Sequence, residues 1–180
     1  MKILAISGSA RHNSTNTAML RAVSFMAPAT FSISVFDQVG ALPVFSPDLE
    51  TDELPPPVCA FMNQVAASDG LIVSSPEYVR SIPGGLKNAI DWLVSGNLLT
   101  TKPIALMHAS HRGDDMLVDL RTVLGTVSSK FSYDLFLRFS LMNLTPDQIS
   151  EVLSDPQNRE RIKAFLDRFS LLISERAGVL

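Results

Sequence analysis

Three short stretches gather the side chains able to hold or transform a ligand. In the first, ISGSARHNSTNTAML (6–20), Gly8 closes an apolar run and permits a tight turn. Ser9, Ser14, Thr15 and Asn16 then offer short hydrogen-bonding groups, and Arg11 adds a fixed positive charge. A helix starting directly after such a loop presents free N–H groups and a partial positive charge, which together stabilise an anion. Hydroxyls with one arginine suit a terminal monophosphate. The stretch is neither the G-x-x-x-x-G-K-[ST] loop nor the G-x-G-x-x-G fingerprint. The same residues also fit simple helix capping, with Ser14 or Thr15 as the N-cap.

The second stretch is SSPEYVRSIPGGLKNAIDWL (74–93) and the third is ASHRGDD (109–115). Prolines fix φ and glycines admit close backbone approach, so the loop 76–85 can hold main-chain N–H and C=O groups rigidly against a ligand. Glu77 reads as a carboxylate supporting backbone. Lys87, Asn88 and Asp91 recur at helical spacing and read as a solvated or interfacial face, and Trp92 as packing or a subunit contact. Ser110, His111 and Asp114 are too close in sequence for a hydrolase triad, and there is no G-x-S-x-G elbow. His12, His108 and His111 lack metal-ligand spacing with acidic partners, so no metal is assigned. No protein nucleophile or acid stands out as catalytic. Arg80 and Arg112 either flank the mouth of one site or both point to solvent. If they converge, they favour anionic partners through bidentate pairing.

Alternating elements must position these loops. Apolar runs at 3–7, 33–36, 71–74 and 104–108, with a weaker one at 133–139, are expected as strands. The first, third and fourth are nearly continuous, as in strands buried on both faces, whereas FSISVFD alternates like a strand nearer an edge. Helical spacing occupies 15–26, 58–67, 86–94, 117–127 and 160 to about 176. Strand–helix alternation predicts an α/β fold, a flavodoxin-like three-layer α/β/α sandwich on a five-stranded parallel sheet. Ligands of such sheets bind beyond the carboxyl ends of the strands, which is where all three stretches fall. The Pro-rich LPVFSPDLETDELPPPV is long for a loop, a length common in functional or interfacial segments.

The chain has 180 residues, 46% hydrophobic and 18% charged, with a formal charge of -3. One domain over 1–180 is expected. Nothing suggests a nucleic-acid arm or a polybasic membrane patch. Cys59 is the one cysteine and lies in a helical pattern, so it reads as a buried structural thiol. MKILAIS resembles a first strand rather than an address signal, and no window nears the roughly 20 apolar residues of a membrane span. A cytoplasmic protein is expected.

Together, GSARHNSTN and PEYVRSIPGGLKNAIDW resemble the NADPH-dependent FMN reductase family. Its G-S-x-R-x-x-S-x-N pattern falls on Gly8, Ser9, Arg11, Ser14 and Asn16, and its P-E-Y-N-x-S-x-P-G-x-L-K-N-A-[IL]-D-W pattern on residues 76–92. The resemblance implies FMN as cofactor, NADPH or NADH as electron donor and a small-molecule acceptor such as a quinone, azo compound, free flavin or chromate. It places the FMN phosphate on the first loop, with Thr15 beside the motif, and the flavin ring along Pro76, Glu77, Tyr78 and Val79, joined by Ser110. Arg80, His111 and Arg112 would then face the substrate, and a homodimer or homotetramer is implied. The chain departs from the pattern at Val79, where the family has asparagine, and at 111–115, where it is typically glycine-rich. A flavodoxin-type electron carrier and a flavin-free module of the same fold are the alternative readings.

Overall fold

A computed structural model describes residues 1–51 and 53–175. Its strands are β1 (Lys2–Ser7), β2 (Ser32–Phe36), β3 (Gly70–Ser74), β4 (Ile104–His108) and β5 (Phe131–Arg138). They form one sheet in the order β2-β1-β3-β4-β5, every pairing parallel. The helices are α1 (Thr15–Met26), α2 (Pro56–Ala66), α3 (Gly84–Ser95), α4 (Asp114–Val127), α5 (Pro146–Ser154) and α6 (Pro156–Ser174). The architecture is the flavodoxin-like sandwich expected from the alternation. Strand order reverses beside β1, so the loops after β1 and β3 open on one crevice.

Burial follows from the period-two geometry of strands. Leu4, Ile6, Leu71, Val73, Ile104 and Leu106 face one core with α2, α3 and α4, while Ile3, Ala5, Ile72, Ala105 and Met107 face a second core. That second core is closed by α1, α5 and α6. β2, with its alternating exposure, takes the sheet edge as its sequence pattern predicts.

Several boundaries move for identifiable reasons. α2 begins at Pro56, two residues before the expected start, because proline is pre-set for the first helical turn. α4 begins at Asp114 and α6 at Pro156, both ahead of their apolar stripes. The expected end of the last helix at Arg176 lies outside the described residues. Helix α5 is absent from the sequence-based expectation, although a capping box announces it: the Thr145 side chain accepts from Gln148 N, and the Gln148 side chain accepts from Thr145 N.

Two side-chain expectations need correcting. Cys59 is exposed, because Val58, Phe61 and Val65 form the buried stripe of α2 and turn position 59 outward. Asn88 is half-buried rather than solvated. Its Oδ1 accepts from Phe45 N at 2.7 Å and its Nδ2 donates to the Pro43 carbonyl at 2.9 Å. Trp92 is fully buried and donates Nε1–H to the same carbonyl at 2.9 Å, with its ring edge-on to Phe45 at 5.1 Å. The connection after β2 is therefore strapped to α3 at Pro43 and Phe45. Lys87 and Asp91 pair on that helix's outer surface.

Candidate functional site

The first loop is fixed from below. Gly8 N donates to the Ser74 carbonyl at 2.8 Å, and a Cβ at this position would sit 2.7 Å from Leu86 Cδ2 and 3.1 Å from Ser75 Oγ. Glycine is required here by close approach. Buried Ser9 accepts from Arg11 N at 3.2 Å, which curls the loop around its hydroxyl. Ser14 is the N-cap of α1 and accepts from Thr17 N, so the capping role read in the sequence is its contact here. Asn16 accepts from Ser74 Oγ at 2.8 Å, and Thr17 donates to Ser7 Oγ at 2.8 Å, tying the helix to the ends of β1 and β3. The first turn of α1 contains no acidic residue, and Arg11 is exposed and has no ion pair among the described residues. A free cation beside a carboxylate-free helix start is a combination able to stabilise an anion.

The second loop leaves β3 through buried Ser74 and Ser75 and forms a miniature hairpin. Tyr78 and Ser81 exchange both backbone hydrogen bonds at 3.0 Å, with Val79 at φ 52° and Arg80 at φ 62° between them. Two successive left-handed residues define a type I′ turn, normally built from Asn-Gly. A β-branched residue in that conformation costs roughly 1–2 kcal/mol. Val79 is also 99% exposed, so no packing offsets the strain. Val79→Asn is expected to raise folding stability by about 1 kcal/mol, read as a higher urea midpoint at unchanged slope. A lower midpoint would contradict the strain.

Two contacts fasten this loop to the first turn of α4. Glu77 accepts from Met116 N at 3.2 Å, the backbone-supporting role expected of it, and Arg80 Nε pairs with Asp115 at 2.6 Å. The pairing raises the Arg80 pKa above its ordinary value, through the hydrogen bond first and charge second. The Arg80 guanidinium is therefore engaged with Asp115.

The third loop starts at His108, the last residue of β4 and 2% exposed. Its Nε2 lies 2.5 Å from the Arg112 carbonyl oxygen. Arg112 N donates to Ser110 Oγ at 2.9 Å, and Ser110 Oγ contacts Met142 Sδ at 2.9 Å. Gly113 follows at φ 97° and serves as the N-cap position of α4. Burial pushes the His108 pKa below its ordinary value, and the nearby Arg138 acts in the same direction. Arg138 itself pairs with Asp114 at 2.5 Å and holds that carboxyl below the usual carboxylate range.

The three loops meet around an open cavity of about 260 Å³. Thr15 and Asn16 reach it from α1, Pro76 and Glu77 from the second loop, and Ser110 and Arg112 from the third. Ser14 and Thr15 also line a neighbouring depression of about 530 Å³ with His12 and Thr145. Ser9 is buried in the first loop, Arg11 and His111 are exposed, and Tyr78, Val79 and Arg80 form the hairpin beyond Glu77 without lining the cavity. A further depression of about 780 Å³, with Phe25, Pro28 and Arg159, lies at the far end of α1. Sequence reasoning missed four lining residues, His108, Ala109, Gly113 and Met142. A polar residue ending a buried parallel strand could have flagged His108. Met142 follows β5, and no motif marks it.

The donor set fits a flavin mononucleotide. An uncompensated cation and a carboxylate-free helix start suit its phosphate, and a proline-fixed loop that lines the cavity through Pro76 and Glu77 suits its ring.

Fold and site thus define a flavodoxin-like protein in which three loops at the strand ends enclose one open cavity. The NADPH-dependent FMN reductase family matches residues 1–132, and the chain belongs to that family. It is 44% identical over 92 residues to a 2-hydroxy-1,4-benzoquinone reductase of a Burkholderia species, covering 51% of this chain and 49% of that protein. It is 33% identical over 113 residues to a quinone reductase of Escherichia coli K12, covering 61% and 60%. The chain therefore spans about half to three-fifths of the length of these curated relatives. Among solved structures, the flavoenzyme NAD(P)H:(acceptor) oxidoreductase of Paracoccus denitrificans superposes with a TM-score of 0.75 at 24% identity, over 97% of both chains. That likeness shows the fold.

Proposed function

We propose that the protein is an FMN-dependent NAD(P)H oxidoreductase that passes reducing equivalents to a small acceptor of quinone type. The observation that carries this reading is the convergence of Thr15 and Asn16 at the start of α1, Pro76 and Glu77 ahead of the hairpin, and the 108–113 wall on one cavity at the carboxyl ends of β1, β3 and β4. The family match and the quinone reductases among the relatives support it. Bound FMN would supply the two-electron chemistry, accepting hydride from the nicotinamide and releasing it to the acceptor.

The chain supplies position and charge. Arg11, Ser9 and the first-turn amides of α1 hold the phosphate end. Pro76 and Glu77 offer backbone groups to the ring from the cavity wall, Tyr78 and Val79 extend that wall as the hairpin, and Ser110 limits the other edge. Fixed main-chain dipoles stabilise charge that develops on such a ring without reorganising. One face serving donor and acceptor in turn gives ping-pong kinetics. The domain is taken as a single unit over 1–180, at work in the cytoplasm. Exposed Tyr78 and Val79, directly after the cavity-lining Glu77, suit closure by a second copy, so a homodimer or homotetramer is the proposed assembly.

The reading is tested by varying NADPH at several fixed concentrations of a benzoquinone under anaerobic conditions. Parallel double-reciprocal lines are expected. Converging lines, or no turnover with any quinone, would refute it.

Arg112 is the guanidinium best placed for an anionic donor, since it is exposed, lines the cavity and has no ion pair among the described residues. Arg112→Ala should lower kcat/KM for NADPH roughly 10–100-fold, the worth of a charged hydrogen bond, with NADH nearly unchanged. An unaltered NADPH/NADH ratio removes Arg112 from the donor site. Arg80→Ala breaks an exposed pair and should leave the urea midpoint close to that of wild type.

A further inference from the structure

We propose that His108 is a positioning residue: its ring is the template on which the 109–113 wall of the cavity is wound, and through α4 it sets the position of the facing 76–81 loop. The proposal rests on the flavin-binding reading for its consequence, though not for its geometry.

Four observations carry it. His108 is buried yet lines the cavity, at the end of β4 where its Cα pairs in register with Arg138 of β5. Its Nε2 meets the Arg112 carbonyl oxygen, an atom that only accepts, so Nε2 carries the hydrogen and the neutral ring is the Nε2–H tautomer. The ring also dictates the residue at 113: a Cβ there would approach Nε2 to 2.9 Å and Cε1 to 3.1 Å, so the loop passes the imidazole as left-handed glycine. Finally, Nδ1 is buried and has no hydrogen-bond partner of ordinary geometry among the described residues, although the Ser75 backbone is close enough to act on the ring's protonation. A buried polar atom left unsatisfied is not there for packing alone, since leucine would fill the space without that penalty.

The consequence runs in one chain of contacts. His108 fixes the Arg112 carbonyl and the turn at Gly113, and this turn starts α4. The first turn of α4 then holds the second loop through Met116 N to Glu77 and Asp115 to Arg80. Both walls of the cavity are thus referenced to one imidazole. In a chain whose third loop is bulkier than the glycine-rich form, the ring takes over the shaping of that loop.

The test compares His108→Leu, which keeps bulk and removes both nitrogens, with His108→Gln, whose amide can still donate to the Arg112 carbonyl. Leu124→Ala, buried toward the other end of α4, serves as a control for lost stability. Two readouts are taken: amide hydrogen exchange at residues 110–116 without flavin, and FMN affinity by quenching of flavin fluorescence. His108→Leu should speed exchange at Arg112 to Met116 selectively and weaken FMN binding about tenfold or more. Gln should restore both to within about threefold. Leu124→Ala should leave both near wild type even where its melting temperature falls as far. Should His108→Leu fail to fold, Gly113→Ala presses on the same ring from the loop side and should give the same two changes. Unchanged exchange in the leucine variant, or equal effects in Leu124→Ala, would overturn the proposal. Wild-type protein that takes up no FMN would instead sink the flavin reading, leaving the exchange result to decide the role of His108.

Discussion

Replacing Trp92 with alanine is expected to cost about 3–5 kcal/mol of folding stability, the usual price of deleting a large buried aromatic side chain. Trp92 is fully buried in the core that α2, α3 and α4 share with the sheet. Its loss removes more than apolar volume. The Nε1–H bond to the Pro43 carbonyl and the edge contact with Phe45 hold the long connection after β2 against α3. The Asn88 hydrogen bonds to Phe45 and Pro43 would then be the remaining side-chain polar ties of that strap to α3 among the described residues. Domains of this size have total stabilities of roughly 5–15 kcal/mol, so the variant should show a large drop in urea midpoint and early protease cleavage within 39–55. Trp92→Phe retains most of the volume and should lie between the two. A drop below about 1 kcal/mol for alanine would mean that this strap is held elsewhere.

Gly113→Val is expected to cost about 2–5 kcal/mol, from two separate sources. A β-branched side chain at φ 97° is sterically disfavoured, and its Cβ would meet the His108 ring at 2.9 Å. An imidazole held by burial and a carbonyl contact cannot step aside as a flexible side-chain end would. The loop must open instead, which displaces Arg112 and the start of α4. FMN affinity should therefore fall together with stability. Gly84→Ala supplies the contrast, because nothing lies within 4 Å of a Cβ at that position in the first turn of α3. That variant should match wild type or exceed it slightly. Equal losses in both variants would show that glycine content, and not the His108 contact, governs the site.

The sheet was legible because parallel strands buried on both faces leave continuous apolar runs such as ILAIS and LIVSS, while the edge strand β2 leaves an alternating one. The start of α1 was legible because Gly8 and the short polar residues after it mark a turn closed by an N-cap, the contact that Ser14 makes. Other features have local signals that point elsewhere. Val79 and Arg80 carry no hairpin signature, since valine is a poor residue for a type I′ turn, so the turn emerges only with the Tyr78–Ser81 bonds that enforce it. Cys59 sits in an apolar neighbourhood of the sequence, but its exposure depends on which stripe of α2 meets the sheet. Glu77 and Met116 lie 39 residues apart, and no spacing rule connects them. His108 looks like the polar end of a strand until the Arg112 carbonyl and Gly113 are seen to close around it.

The most direct measurement is the visible absorbance of the purified protein, titrated with FMN and then mixed anaerobically with NADPH. Saturable uptake with a shifted flavin band that bleaches rapidly on NADPH addition is the result expected of an FMN-dependent reductase. Flavin bound but unbleached would mark an electron carrier, and no saturable uptake at all would contradict the assignment of the three-loop cavity as a flavin site.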